Sequence, residues 1–101
     1  MKVLLNNSSL FKTIRPFNDV GFVPTMGGIH KGHLSLINKS NKLCNKTIVS
    51  IFVNPKQFNN KKDLKSYPRN ILKDLQILKK SKKVDFIYLP RFKDIYKDKK
   101  K

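Results

Sequence analysis

Asp19-Val20-Gly21-Phe22-Val23-Pro24-Thr25-Met26-Gly27-Gly28-Ile29-His30-Lys31-Gly32-His33 is the stretch that decides the fold. Its first part, Asp19 to Pro24, is a short apolar run closed by a proline, the pattern of a buried strand. Thr25 to Ile29 reads as a loop whose paired glycines allow backbone conformations and close approaches that side chains block. From about Gly32 the pattern turns helical, with Leu34, Ile37 and then Leu43 or Cys44 placed to line one face. Strand, glycine loop and helix in this order open a parallel α/β unit.

Outward from this unit the same alternation continues. Thr47 to Val53 is a nearly continuous apolar, β-branched run, as expected of a central strand covered on both sides, and Asn54-Pro55 ends it. Lys56 to Tyr67 is polar and irregular. Pro68 is read as opening the next helix, in which Ile71, Leu72, Leu75 and Leu78 recur at helical spacing with lysines opposite. Val84 to Leu89 is a further strand stopped by Pro90, and Lys2 to Leu5 a short strand ahead of the rest. The order predicts a parallel sheet with right-handed crossovers, the first half of a doubly wound, Rossmann-like α/β domain. Ligands of such sheets bind beyond the carboxyl ends of the strands, where the Gly27-Gly28 and Asn54-Pro55 loops fall.

Length and charge bound the function. A chain of 101 residues suggests one domain with a modest core. Lys and Arg number 23 against six acids, for a net charge of +17, and all six acids are Asp. Such imbalance suits a polyanion partner, but the excess is nearly all Lys, and Ala and Glu are absent, as in a composition biased toward Lys, Asn and Ile at tolerant surface positions. The lysines are dispersed over helices and tail without an aromatic-rich RNA-binding signature, which argues against nucleic acid. The lysine pairs at 79–80 and 82–83 and the basic tail at 97–101 read as solvated charge. One cysteine, Cys44, excludes an internal disulfide and fits a reducing cytosol. No stretch reaches the roughly 18 apolar residues that span a bilayer, and the apolar run after Met1-Lys2 is too short for a signal-peptide core. The expected location is cytoplasmic, with no membrane partner.

His30-Lys31-Gly32-His33 holds both histidines of the chain. Three residues apart at a helix start, they share one helical face. A helix N-terminus offers backbone N–H groups and a positive dipole end to a phosphate, and two imidazoles beside it supply further donors to oxygens that gain charge during attack at phosphorus. The arrangement suits nucleotidyl transfer. Zinc is disfavoured because no nearby Cys, Asp or Glu supplies a third ligand.

Three ordered motifs carry a resemblance. Pro24-Thr25-Met26-Gly27-Gly28-Ile29-His30-Lys31-Gly32-His33 resembles the P-T-M-G-x-x-H-x-G-H signature of the pantothenate synthetase, or pantoate–β-alanine ligase, family of the H-x-G-H nucleotidyltransferase superfamily. Ser50-Ile51-Phe52-Val53-Asn54-Pro55-Lys56-Gln57-Phe58 resembles S-I-F-V-N-P-x-Q-F, and Asp63-Leu64-Lys65-Ser66-Tyr67-Pro68-Arg69 resembles D-L-x-x-Y-P-R. The Ser50 to Phe58 block separates this family from adenylyltransferases acting on phosphopantetheine.

The resemblance implies an ATP-dependent ligation of pantoate and β-alanine through pantoyl adenylate, releasing pyrophosphate and AMP. By position it places Met26, Gly27, Gly28, Ile29, His30, Lys31, Gly32 and His33 against ATP. His33 matches the family's proton donor, His30 would assist at the phosphates, and Gln57, with Asn54 nearby, would hold pantoate and then β-alanine. Magnesium is expected with the nucleotide, without a dedicated protein metal site. A homodimer is compatible with the family. The resemblance covers the N-terminal part only: residues 1–96 would form a partial ATP- and pantoate-binding domain, with the family's K-M-S-like loop, second glutamine and C-terminal domain absent. It therefore implies an impaired ligase or, alternatively, a noncatalytic nucleotide-binding fragment or one piece of a split enzyme completed by a C-terminal fragment.

Overall fold

The run from Lys46 to Ile51 is β-branched at Thr47, Ile48, Val49 and Ile51, and a strand with apolar side chains on both faces is stable only with cover on both. In the computed structural model, which describes residues 1–52 and 61–90 apart from the side chains of 61–70, this run is an inner strand and Thr47 to Ile51 are all buried. The elements are β1 (Lys2–Leu4), α1 (Asn7–Ile14), β2 (Val20–Thr25), α2 (Lys31–Leu43), β3 (Lys46–Ile51), α3 (Lys61–Ser81) and β4 (Phe86–Tyr88). The four strands form one sheet in the order β1-β4-β3-β2, every pair parallel.

The two faces of the sheet carry separate cores. On one, Val23, Val49, Ile51 and Ile87 pack with Ile37 of α2 and Leu78 of α3. On the other, Leu4, Ile48 and Tyr88 pack with Leu10 and Ile14 of α1. α1 supplies the second cover that β3 requires, a helix that the sequence pattern does not announce. Asn6 caps it, its side-chain oxygen accepting the Ser9 N–H at 2.8 Å.

α2 lies close against β2 because Gly21 has no side chain. A Cβ there would stand 1.9 Å from the Ser40 hydroxyl and 2.8 Å from the Ser40 Cβ. Ser40 meets Thr47 of β3 through their hydroxyls at 2.7 Å. The helix ends where Cys44 turns extended and donates its N–H to the Ser40 carbonyl, so the chain enters β3 within two residues. Of the residues expected on the inner face of α2, Ile37 is buried and Leu34 packs against the core, whereas Leu43 is 67% exposed because the turn into β3 carries it off the sheet.

Pro68 does not open α3. The helix begins at Lys61, and the proline falls inside it, at the cost of one backbone hydrogen bond. The strands also end sooner than their apolar runs, β3 at Ile51 and β4 at Tyr88, because a parallel ladder extends only as far as its neighbours. Val53, Asn54, Gln57, Arg91 and the tail at 97–101 lie outside the described residues.

Candidate nucleotide site

The carboxyl ends of β2 and β3 set the site's floor. Their register pairs Pro24 with Ser50, and Ser50 pairs in turn with Tyr88 of β4. These three residues share one face of the sheet and floor a cleft of about 480 Å³ whose walls include Phe22, Met26, Phe52 and His33. A cleft of this volume falls in the range that accepts a small organic ligand.

The glycine loop forms the rim. Thr25, buried at the end of β2, donates its hydroxyl proton to the Ser50 carbonyl at 3.0 Å and accepts the Gly27 N–H at 3.2 Å. Gly27 and Gly28 then take φ values of +91° and +68°, the left-handed region that only glycine enters without strain. The chain thereby reverses and delivers Ile29 to the core and His30 to the start of α2.

The two imidazoles cap this helix. His30 Nδ1 accepts the Gly32 N–H at 3.0 Å, and His33 Nδ1 accepts the His30 N–H at 3.1 Å, a reciprocal arrangement built from two histidines. The rings lie 4.1 Å apart between centroids, tilted by 38°. A ring nitrogen that accepts a hydrogen bond carries no proton, so each neutral ring holds its proton on Nε2. Burial, and then the neighbouring His30, push the His33 imidazole below its ordinary pKa, with the Asp74 carboxylate acting in the opposite direction. Gly32 makes room for the pair, since a Cβ there would stand 2.8 Å from His30 Cε1.

Asp74 of α3, only 4% exposed, lies beneath the loop and is a site residue absent from the sequence reading. Its two carboxylate oxygens accept the Gly28 N–H at 3.0 Å and the Ile29 N–H at 2.9 Å. The signal for it is its spacing: position 74 falls on the same helical stripe as Ile71, Leu75 and Leu78, so an acid occupies an inward-facing place.

The structure therefore revises how this helix start meets an anion. The amides of Gly28, Ile29, His30 and Gly32 are engaged inside the protein. What the turn offers in their place is a pair of imidazole Nε2–H donors. The sequence-predicted residues Met26 to His33 are brought together on one turn, with Met26 and His30 exposed and His33 half-buried. Gln57 and Asn54 lie outside the described residues, as do the side chains of Tyr67 and Arg69. Among the described residues no three His, Cys, Asp or Glu side chains group as a metal site, and no helix is long and apolar enough to cross a membrane.

A sequence-family model described as pantoate-beta-alanine ligase matches residues 3–101. A pantothenate synthetase of Ruthia magnifica is 46% identical over 100 residues, which cover 95% of this chain and 35% of that protein. One from Francisella philomiragia is 53% identical over 79 residues, covering 78% of this chain and 30% of its own length. The chain thus spans about a third of the length of these curated relatives. Among solved structures, the Francisella tularensis pantoate-beta-alanine ligase complexed with beta-gamma ATP and beta-alanine superposes with a TM-score of 0.78 at 44% identity, over 97% of this chain and 38% of that one. The Thermus thermophilus pantothenate synthetase gives the same TM-score at 33% identity, over 98% of this chain and 35% of that one.

Proposed function

This chain belongs to the pantoate-beta-alanine ligase family, and from that membership we propose that it contributes the ATP-handling part of an ATP-dependent ligation of pantoate to β-alanine. The observation that carries the proposal is the pair of Nδ1-anchored imidazoles on the glycine turn, of which His33 lines a cleft beyond the carboxyl ends of β2 and β3.

In the first step a pantoate carboxylate oxygen attacks the α-phosphorus of ATP. The bond to pyrophosphate breaks with its electron pair leaving on the departing oxygen, and pantoyl adenylate forms. Negative charge grows on the phosphate oxygens, and Nε2–H donors fixed in advance stabilise it without reorganising. His33 serves as proton donor and His30 assists, while Met26, Gly27, Gly28, Ile29, Lys31 and Gly32 shape the contact with ATP. In the second step the β-alanine amine attacks the acyl carbon and AMP leaves. Gln57, with both an amide donor and an amide acceptor, and Asn54 hold pantoate and then β-alanine. Magnesium would come with the nucleotide, carried on its phosphates, where it would offset their charge.

Pantoate-dependent exchange of labelled pyrophosphate into ATP tests the reading. Exchange by the 101-residue chain, abolished by His33→Ala, supports adenylate formation. A second reading is that these residues bind nucleotide while the ligation needs further residues of the kind that lie in the other two-thirds of a relative. Exchange that emerges only on adding a separate C-terminal part of such a relative selects it. No exchange under either condition, together with no ATP binding, contradicts both readings.

A further inference from the structure

We propose that Asp74 is a positioning residue of the nucleotide site: by accepting the Gly28 and Ile29 N–H groups it fixes the glycine turn that carries His30 and His33. The inference rests on the nucleotide reading above for its function and on geometry for its mechanism. Two consecutive glycines lose more conformational freedom on folding than any other pair, and the open side of Gly28 has no atom within 4 Å of where a Cβ would lie. Packing alone does not hold this turn. The restraint comes from one carboxylate on α3, 45 and 46 residues away in sequence, which takes both amides at 2.9–3.0 Å.

Asp74 is buried, and both of its carboxylate oxygens are engaged by main-chain amides. Charge-assisted bonds of this kind are short and directional, and they specify where each donor sits. Ile29 is pinned at its amide and buried at its side chain. The next residue, His30, therefore enters α2 with its backbone aligned for His33 Nδ1 and its own Nδ1 over Gly32. Loss of the anchor moves both Nε2–H donors at once.

The test uses the whole 101-residue chain, labelled with ¹⁵N and ¹³C. In the unmodified protein, through-hydrogen-bond couplings from the Gly28 and Ile29 nitrogens to the Asp74 carboxyl carbon are expected, and their absence overturns the anchor without any substitution. Asp74→Asn preserves shape but turns a donor toward one amide, and Asp74→Leu suits the apolar stripe while removing both acceptors. In whichever variant retains native signal dispersion, Gly28 and Ile29 amides lose protection from exchange and ATP binds about tenfold to a hundredfold more weakly, the range for losing a charge-assisted hydrogen bond. His33 also titrates lower once the carboxylate charge is gone, which its charge alone requires, so the decision rests on the amides and on ATP affinity in a folded variant. A folded variant with wild-type ATP affinity overturns the proposal. If the unmodified chain binds no ATP, the nucleotide reading fails instead, and the coupling and exchange data still report whether the anchor exists.

Discussion

At the scale of single residues, the site depends on atoms that histidine and glycine alone supply together. Gly32→Ala separates stability from function. Alanine is favoured over glycine in a helix by about 1 kcal/mol, and the atom its Cβ would crowd is the far end of the His30 ring, 2.8 Å away, which can swing aside. Thermal unfolding of Gly32→Ala should stay close to the parent, the propensity gain being offset by the lost His30 cap, while ATP affinity falls as His30 leaves its position. His33 supplies a pH-dependent counterpart. Its folded pKa lies below the ordinary imidazole value of 6.5, chiefly through burial and then through His30. The stability this imidazole contributes is therefore complete above about 6.5 and is lost as pH falls through the depressed value, because the folded state resists taking up the proton. Protonation at Nδ1 also removes the acceptor for the His30 N–H. Its Cε1–H signal should titrate below 6.5, and urea midpoints should drop across the same window.

At the scale of elements, close approach of α2 to β2 is the packing that puts the site together, and Gly21 sets it. Gly21→Ala forces a Cβ into Ser40 and should destabilise by about 1–3 kcal/mol in denaturant unfolding, the cost of overpacking. Ser40→Gly in the same chain removes the obstructing atoms, so the double variant should be less destabilised than the two single effects added together. The elements differ in how much of them the sequence discloses. β2, α2 and β3 are legible because apolar runs, a proline and paired glycines punctuate them locally. α1 escapes a sequence reading because Asn7–Ile14 contains serines and threonine, and its helical signals, the Asn6 cap and the Leu10–Ile14 spacing, are weak without the sheet they cover. The start of α3 is misleading in the sequence because proline is a strong N-terminal signal and here lies inside a helix. The histidine pair is legible by position and Asp74 by its inward place on the α3 stripe, whereas the partners of Asp74 are not. Those depend on contacts between α3 and a loop some 45 residues earlier, which no local pattern encodes.

Over the whole molecule, a net charge of +17 acts as a field surrounding a single structured turn. Under the proposed function that field gathers ATP and pantoate, both anions, and it repels itself within the folded state. Raising salt from about 0.05 M to 0.2 M should therefore weaken ATP binding and raise the thermal midpoint, since screening shortens the reach of both effects. The apolar face of the sheet at Phe22, 55% exposed, and the lysines of α3 at 73, 79 and 80, with Lys82 just beyond the helix, offer an anion two very different surfaces: a shaped cleft with directional donors, and a cluster of surface charge. The proposed function requires nucleotide to bind at the first. Titrating ATP into ¹⁵N-labelled chain at moderate salt distinguishes the two. Saturable shifts are expected at the His30 and His33 rings and at the Met26, Gly27 and Gly28 amides, lost in His33→Ala. Shifts confined to the α3 lysines, unsaturated and erased by salt, with the glycine turn unmoved, would contradict it.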